Sequence, residues 1–377
     1  MNILIAPDSF KGSLSANEII DILKNKFKNS KLNLNIIEQA LADGGEGSID
    51  IFTSFEGFQK NDLQILNPIG KKIDSFYLFD KKNSTAYIEL AKSSGLSLIK
   101  DNPDIMAANS SGTGELVKDA ILKGASKIIL FLGGSATNDA AVGILDALGF
   151  EFYDKNNKQL SAYVLELKNI FRIDNSKSIT KNCNVSFIIA VDVNNPFYGK
   201  NGASYVYAAQ KGASLEQIKY LDASLKSFSK ILKKQYGVDI QSIKGSGAAG
   251  GIAGSLYAVL NAKIVSGSDL IFEKVDIENK IKQADIVITG EGKIDNQTLN
   301  EKLIFKLSKL CKKHYKPIWA ICGYFDGNID LKEKLYLNKI FSLSERKSDI
   351  ESSIKNAEKG LNLLSKEIID SLQNISK

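Results

Sequence analysis

The stretch NILIAPDSFKGSLSANE, residues 2–18, decides how the rest of the chain is read. Ile3, Leu4, Ile5 and Ala6 form a short continuous apolar run, the pattern of a strand buried on both faces. Ser15 and Glu18 have capping-box spacing, which predicts a helix from Ala16. Strand, polar turn and helix in that order are the unit of a parallel α/β fold. The turn holds Asp8, Ser9 and Lys11, with Gly12 loosening the chain behind them. Backbone N–H groups beside the positive end of a helix dipole attract anions. Lys11 would add a full charge and Ser9 a hydroxyl, while Asp8 would hold Mg²⁺ or orient Lys11. The same residues also read as a capped turn whose Asp and Lys are merely solvated.

The pattern repeats along the chain. Strand-like runs fall at Leu34–Ile37, Lys127–Leu132, Ser186–Val191, Ile286–Thr289, Ile318–Cys322 and Ile340–Leu343, with helical stretches such as Gly114–Lys123 and Leu215–Lys234 between them. Glycine-rich turns follow several runs: Gly133–Asp139 after IILFL, and Gly290–Gly292 after DIVIT. Residues 67–98 differ, because FYLFDKKNSTAYIELA alternates around a Lys-Lys-Asn turn and so predicts an antiparallel hairpin. The expected fold is α/β. A Rossmann-like parallel-sheet domain, residues 1–66 and 283–377, would carry a second, mixed α/β domain, residues 67–282, inserted into it.

Composition narrows the chemistry. The 377 residues suit two domains, and 44% hydrophobic with 24% charged residues is ordinary for a globular protein. The net charge of +6 comes almost wholly from scattered lysines, since Arg172 and Arg346 are the only arginines. That distribution argues against nucleic-acid binding and suits small anions. Cys183, Cys311 and Cys322 form no CxxC pair, so reduced thiols are expected. His314 is the only histidine and sits in the charged stretch CKKHYKP. A histidine metal cluster is thereby excluded, and a serine–histidine hydrolase is disfavoured. No segment reaches the roughly 20 apolar residues of a membrane span. The N-terminus does not read as a signal peptide. A cytoplasmic protein is the expectation.

The candidate site residues lie in the glycine-rich turns. ADGGEG, 42–47, places Asp43 and Glu46 on a flexible turn as possible Mg²⁺ ligands. SSGTGE, 110–115, and GGSATND, 133–139, set small residues and hydroxyls ahead of helices. Ser111, Thr113, Gly133, Gly134, Ser135, Thr137, Asn138 and Asp139 would together cradle a phosphate or nucleotide. VDVNNPFYG, 191–199, ends a buried run in Asp192. TGEGKIDNQT, 289–298, contributes Glu291, Lys293, Asp295 and Gln297. GSGAAGG, 245–251, contains GxGxxG with Asp269 near ribose-binding distance, which raises an NAD(P)-dependent oxidoreductase. The poor strand before it and the further small residues after it argue for close packing instead.

Acids, lysines and glycine turns gathered at strand ends fit phosphoryl transfer, which needs positioning and charge neutralisation more than covalent chemistry. Neither GxxxxGK[ST] nor the HRD and DFG pair is present, so P-loop enzymes and protein kinases are excluded.

The ordered motifs APDSFKGSLSA, ADGGEG, SSGTGEL, LGGSATND, DVNNPFYGKNGA, QKGA, GAAGG and TGEGKIDNQT, spanning residues 6–298, closely resemble the bacterial type I glycerate kinase family. The resemblance implies two α/β domains with the site in the cleft between them. It implies an ATP-dependent kinase that converts D-glycerate to 2-phosphoglycerate and ADP. Asp192 then looks like the base, with Lys11 and Asp8 as further catalytic groups and Asp43, Glu46 and Asp192 as candidate Mg²⁺ ligands. A homodimer is left open. The chain departs from the family pattern at Val191, Asn194, Ala140-Ala141, Ala209 and Glu301-Lys302-Leu303-Ile304. The last group keeps a catalytically inactive nucleotide-binding relative in view.

Overall fold

In the computed structural model, residues 1–299, 302–326, 329–344 and 354–375 are described. Strand β1 (Asn2–Pro7) buries Ile3, Leu4, Ile5 and Ala6 completely. The helix Ala16–Lys28 starts at a capping box, Ser15 Oγ accepting the Glu18 N–H and the Glu18 carboxylate accepting the Ser15 N–H at 2.8 Å. Between them the chain closes on itself. Phe10 N–H donates to Leu14 O at 2.8 Å, Ser13 N–H donates to Phe10 O at 2.8 Å, and Gly12 takes φ +76°. The Glu18 and Ser15 N–H groups are thus satisfied by the capping box, and the turn adds the side chains of Asp8, Ser9 and Lys11.

The chain divides into two compact units, residues 1–43 with 268–377, and residues 44–267. The first is built on a five-stranded, wholly parallel sheet. It comprises β1, β2 (Asn35–Glu38), β12 (Ile286–Ile294), β13 (Ile318–Phe325) and β14 (Lys339–Ser344), in the order β14-β13-β12-β1-β2. Counted within the unit this is the doubly wound order 2-1-3-4-5, whose direction reverses between β1 and β12. Open α/β sheets bind ligands beyond the carboxyl ends of strands at such a reversal. Residues 290–292 do not form the expected turn. They stay in β12, with Gly290 paired to Ile321 and Glu291 to Cys322. The reason is close backbone approach: a Cβ on Gly290 would lie 2.8 Å from Ile321 O, and one on Gly323 2.6 Å from Gly292 O. Glu291 and Lys293 therefore project from a strand.

The second unit carries a mixed sheet ordered β11-β10-β6-β5-β4-β3. Its members are β3 (Phe58–Leu66), β4 (Lys72–Asp80), β5 (Thr85–Glu89), β6 (Lys127–Phe131), β10 (Ser186–Ala190) and β11 (Lys263–Val265). β5, β6, β10 and β11 run parallel, while β4 and β3 are antiparallel. The expected hairpin is β4–β5, its turn tied by Asn83 Nδ2 donating to Asp80 Oδ2 at 2.6 Å. Strand β3 was not expected, being a largely solvated outer strand rich in polar residues. Nor was a small antiparallel sheet, β8-β7-β9, made of Glu151–Tyr153 (β7), Gln159–Leu160 (β8) and Arg172–Asp174 (β9). Its strands of two or three residues are too short to show a period. Leu130, Ile189, Leu225 and Ile252 share one buried core between sheet and helices.

GxGxxG at 245–250 follows the short 3₁₀ turn Ile240–Ser242 rather than a strand. Ala249, Gly250 and Gly251 all take left-handed φ, and a Cβ on Gly250 would clash with Thr137 O. This is close packing, and the strand that a dinucleotide fingerprint requires is missing. Asp269 is ion-paired to Lys306 at 3.1 Å. Among the described residues, no helix is long and apolar enough to cross a membrane.

Candidate active site

In the first unit, Asp8 follows β1, Lys11 sits in the turn, Asp43 closes the unit's first segment, and Glu291 and Lys293 stand on β12. All five line one cavity of about 340 Å³ at the reversal point. Lys11 Nζ pairs with Asp43 Oδ2 at 2.6 Å, joining the DSFKG and ADGGEG turns. Asp8 Oδ1 accepts the Ser9 N–H at 2.6 Å and the Ser9 hydroxyl at 3.3 Å. Burial, and then the charge of Asp43, hold the Asp8 carboxyl well above the usual range against the pull of Lys11. Burial pushes Glu291 up to about 7, opposed by Lys302 and by the Thr298 hydroxyl donating at 3.0 Å. Desolvation lowers the Lys11 pKa, but Asp43 and Asp8 outweigh it and leave the ammonium firmly protonated. Lys293 pairs with Asp295 at 2.8 Å. Gln297 falls in the 3₁₀ turn Asn296–Leu299, its side chain outside the described residues, as is Glu301.

In the second unit, the candidate turns gather at the carboxyl ends of the four parallel strands. Gly133, two residues past β6, donates its N–H to Gly44 O at 3.2 Å, and a Cβ on it would clash with Gly45 Cα. A Cβ on Gly44 would meet Gly267 Cα at 3.0 Å. Asp192, two residues past β10, accepts on Oδ1 from Ser266 Oγ at 2.8 Å and from Gly267 N–H at 3.0 Å, just past β11. The 44–47 turn, the Gly133 loop, Asp192 and the Ser266–Gly267 step thus form one cluster. Glu46 is exposed on its turn.

Other candidates turn inward. The buried Thr113 hydroxyl is hydrogen-bonded to Ser93 Oγ at 2.7 Å and Ser94 Oγ at 2.8 Å. The buried Asp139 carboxylate accepts from Ser110 N–H at 2.9 Å, Ser110 Oγ at 2.7 Å and Gly143 N–H at 3.3 Å. Ser111 donates its N–H to Asn109 Oδ1 at 2.7 Å. Gly134 takes φ +75° and its carbonyl accepts from Leu96 N–H at 2.8 Å. Asn138 Nδ2 donates to Ser204 Oγ at 3.2 Å. Asp139, Gly134 and Asn138 thereby brace the loop that follows β6, while Thr113 and Ser111 make their contacts elsewhere.

Two bracing residues were not among the sequence candidates. Glu89, the last residue of β5, is fully buried and accepts Gly47 N–H at 3.0 Å on one oxygen and Ile49 N–H at 3.1 Å on the other. Burial pushes its carboxyl up to about 7, against the pull of Lys92. Its signal was an acid closing the apolar run AYI. Lys211, in QKGA, is buried and donates to Ser135 Oγ at 2.8 Å and Thr137 O at 2.7 Å. Burial lowers it to about 7. Nothing local in the sequence marks it.

Carboxylates, an ammonium and glycine turns set at the ends of parallel strands are the equipment of an α/β phosphotransferase that works on small anions. The chain belongs to the glycerate kinase family, whose model matches residues 3–373. It is 34% identical to a Haemophilus influenzae glycerate kinase over 380 aligned positions, covering 100% of this chain and 98% of that protein. It is also 34% identical to the Escherichia coli K12 glycerate 2-kinase, covering 91% of this chain and 90% of that one. A crystal structure of a Salmonella typhimurium LT2 protein, provisionally named glycerate kinase 2, superposes with a TM-score of 0.82 at 32% identity, covering 100% of this chain and 99% of that one.

Proposed function

We propose that the chain catalyses ATP-dependent phosphorylation of D-glycerate at its 2-hydroxyl, giving 2-phosphoglycerate and ADP. The observation that carries this reading is that the candidate residues collect at the strand ends of both units, charged side chains in one and glycine turns with Asp192 in the other. Asp43 ends the first unit and Gly44, the next residue, begins the second. We take both sets to serve one phosphoryl transfer.

In this mechanism the glycerate 2-oxygen attacks the γ-phosphorus and the bond to the β-phosphate oxygen breaks. The hydroxyl proton passes to Asp192, an effect worth on the order of 10²–10⁴ in rate. Ser266 Oγ–H and Gly267 N–H hold that carboxylate in place. Lys11 neutralises the transferred group, with Asp43 fixing its position. The Gly133–Asp139 loop, braced by Lys211 and Asp139, presents backbone to the phosphates.

Mg²⁺ takes oxygen donors and commonly keeps one or two protein carboxylates beside substrate phosphates. Among the described residues, no three His, Cys, Asp or Glu side chains form a ready metal cluster. The carboxylates of Asp43, Glu46 and Asp192 are the candidate donors for an ion that arrives with the nucleotide, Asp192 only if it is not the base. Bound there, it would supply neutralisation of phosphate charge. The same reading has the chain work in the cytoplasm on small molecules, without nucleic acid, alone or as a homodimer.

A coupled ADP-release screen over small hydroxy acids, with NMR of the product, tests it. D-Glycerate should be the preferred acceptor and the phosphate should be found on carbon 2. ATP binding without ADP release on any hydroxy acid would favour an inactive relative instead.

A further inference from the structure

The cavity at the reversal point of the first sheet is graded in polarity along the strand order. Over β1 and β12 it is lined by Asp8, Lys11, Glu291 and Lys293; over β13 and β14, by Tyr324 and Leu343, with Ile354 and Ala357 of the following helical segment closing the same side. Strands lie about 4.8 Å apart, so the three spacings from β1 to β14 span roughly 14 Å. The exposed lining is mainly apolar, although three acids and three lysines share it. Glycerate has three carbons, each bearing oxygen, and would leave an aromatic and several aliphatic walls without a partner. A purine nucleoside carrying a polyphosphate has the matching gradient, an apolar face at one end and anionic charge at the other. Ser13 also lines this cavity, and among the described residues its buried hydroxyl has no hydrogen-bond partner.

We infer that this cavity binds the nucleoside of the phosphoryl donor, the base lying against Tyr324, Leu343 and Ile354 and the phosphates running toward Lys11 and Lys293. The inference rests on the proposed kinase reading and adds to it the location of the donor. It leaves the glycine turns of the second unit for the acceptor and the transferred group.

Photolabelling with 2-azido-ATP, followed by peptide mapping, tests this on the unaltered protein. The label is expected in residues 316–326 and 338–344, with adenosine competing. Ile354 is 44% exposed, so Ile354→Asp should fold normally. By calorimetry it should weaken ATP and adenosine binding about tenfold and leave tripolyphosphate binding and the KM for glycerate unchanged. Label confined to residues 133–139, or unaltered ATP and adenosine affinity in both Ile354→Asp and Tyr324→Ala, overturns the inference while leaving the kinase reading intact. Label in the cavity without transfer to any hydroxy acid would do the reverse. No ATP binding at all would overturn both.

Discussion

The two units solve the same problem with opposite materials. At the strand ends of the first, ionisable side chains line a cavity: Lys11 held by Asp43, and Asp8 and Glu291 beside them. At the strand ends of the second, ionisable side chains mostly turn inward to hold loops. Glu89 grips the 47–49 turn, Asp139 the start of the helix Ser111–Leu122, and Lys211 the Ser135 hydroxyl and the Thr137 carbonyl. What that unit turns outward from its glycine turns is mostly backbone, with Asp192 and Glu46 as exceptions. A charged residue at a strand end therefore has two physical fates, and its hydrogen-bond partners decide between them. Glu89, Asp139 and Lys211 are fully buried, with backbone groups or hydroxyls around them, and brace; Lys11, Asp8 and Glu291 face one another across a cavity, and Asp192 is only half-buried, so these remain available for a ligand.

The largest effects should follow substitution of the groups that break this division. Asp192→Asn is expected to lower kcat by 10²–10⁴, with ATP affinity by calorimetry little changed. Near-normal turnover would remove Asp192 as the base and make it one more bracing residue. Next comes Gly133→Ala, whose methyl would clash with Gly45 Cα. Forcing the two turns apart should cost about 1–3 kcal/mol, read as a lower melting temperature; an unchanged value would mean that the turns are not locked together.

Glu89 allows a finer test through pH. Its folded pKa is about 7 against an ordinary 4.5, so the folded state binds the extra proton between those values. The stability tied to it is complete below about 4.5 and is lost as pH rises to about 7. Melting temperatures from pH 4.5 to 8 should fall more steeply for the natural protein than for Glu89→Gln. Parallel curves would show that Glu89 does not titrate in the fold. The smallest effect concerns Ala140 and Ala141, at φ +50° and +64°, where the resembled family carries glycines. A left-handed alanine is strained by roughly 1–2 kcal/mol, partly offset by the greater chain entropy of glycine when unfolded. Ala141→Gly should therefore stabilise the second unit by about 0.5–1 kcal/mol. A fall in melting temperature would mean that the methyl packs better than its backbone suggests.

The buried parallel strands were legible because both faces are apolar, as in Ile3–Ala6 and Lys127–Phe131. The β4–β5 hairpin was legible from its turn residues. β3 was not, because Gln59, Lys60, Asn61 and Asp62 put polar side chains on both faces of this largely solvated outer strand and so show no alternation. Gly290–Gly292 misled, because glycine serves a turn and a close approach of backbones equally well and only the neighbouring strand tells which. At the site, Asp8, Lys11 and Asp43 could be picked out as chemistry at a strand tip, but not their pairing. Thr113 and Asp139 looked like ligand groups because a hydroxyl or carboxylate before a helix reads the same whether it faces a phosphate or a neighbouring turn. Lys211 was hidden because its partners lie more than 70 residues away.

The most direct measurement is a double-mutant cycle on the rate of phosphoryl transfer from ATP to D-glycerate, in single turnover, with Lys11→Met and Asp192→Asn. If Lys11 and Asp192 act on one reacting pair, each variant should lose at least about 10² in rate, and the double variant should fall little further than the worse single one. Fully multiplicative losses, or an undiminished rate in either single variant, would contradict a shared site.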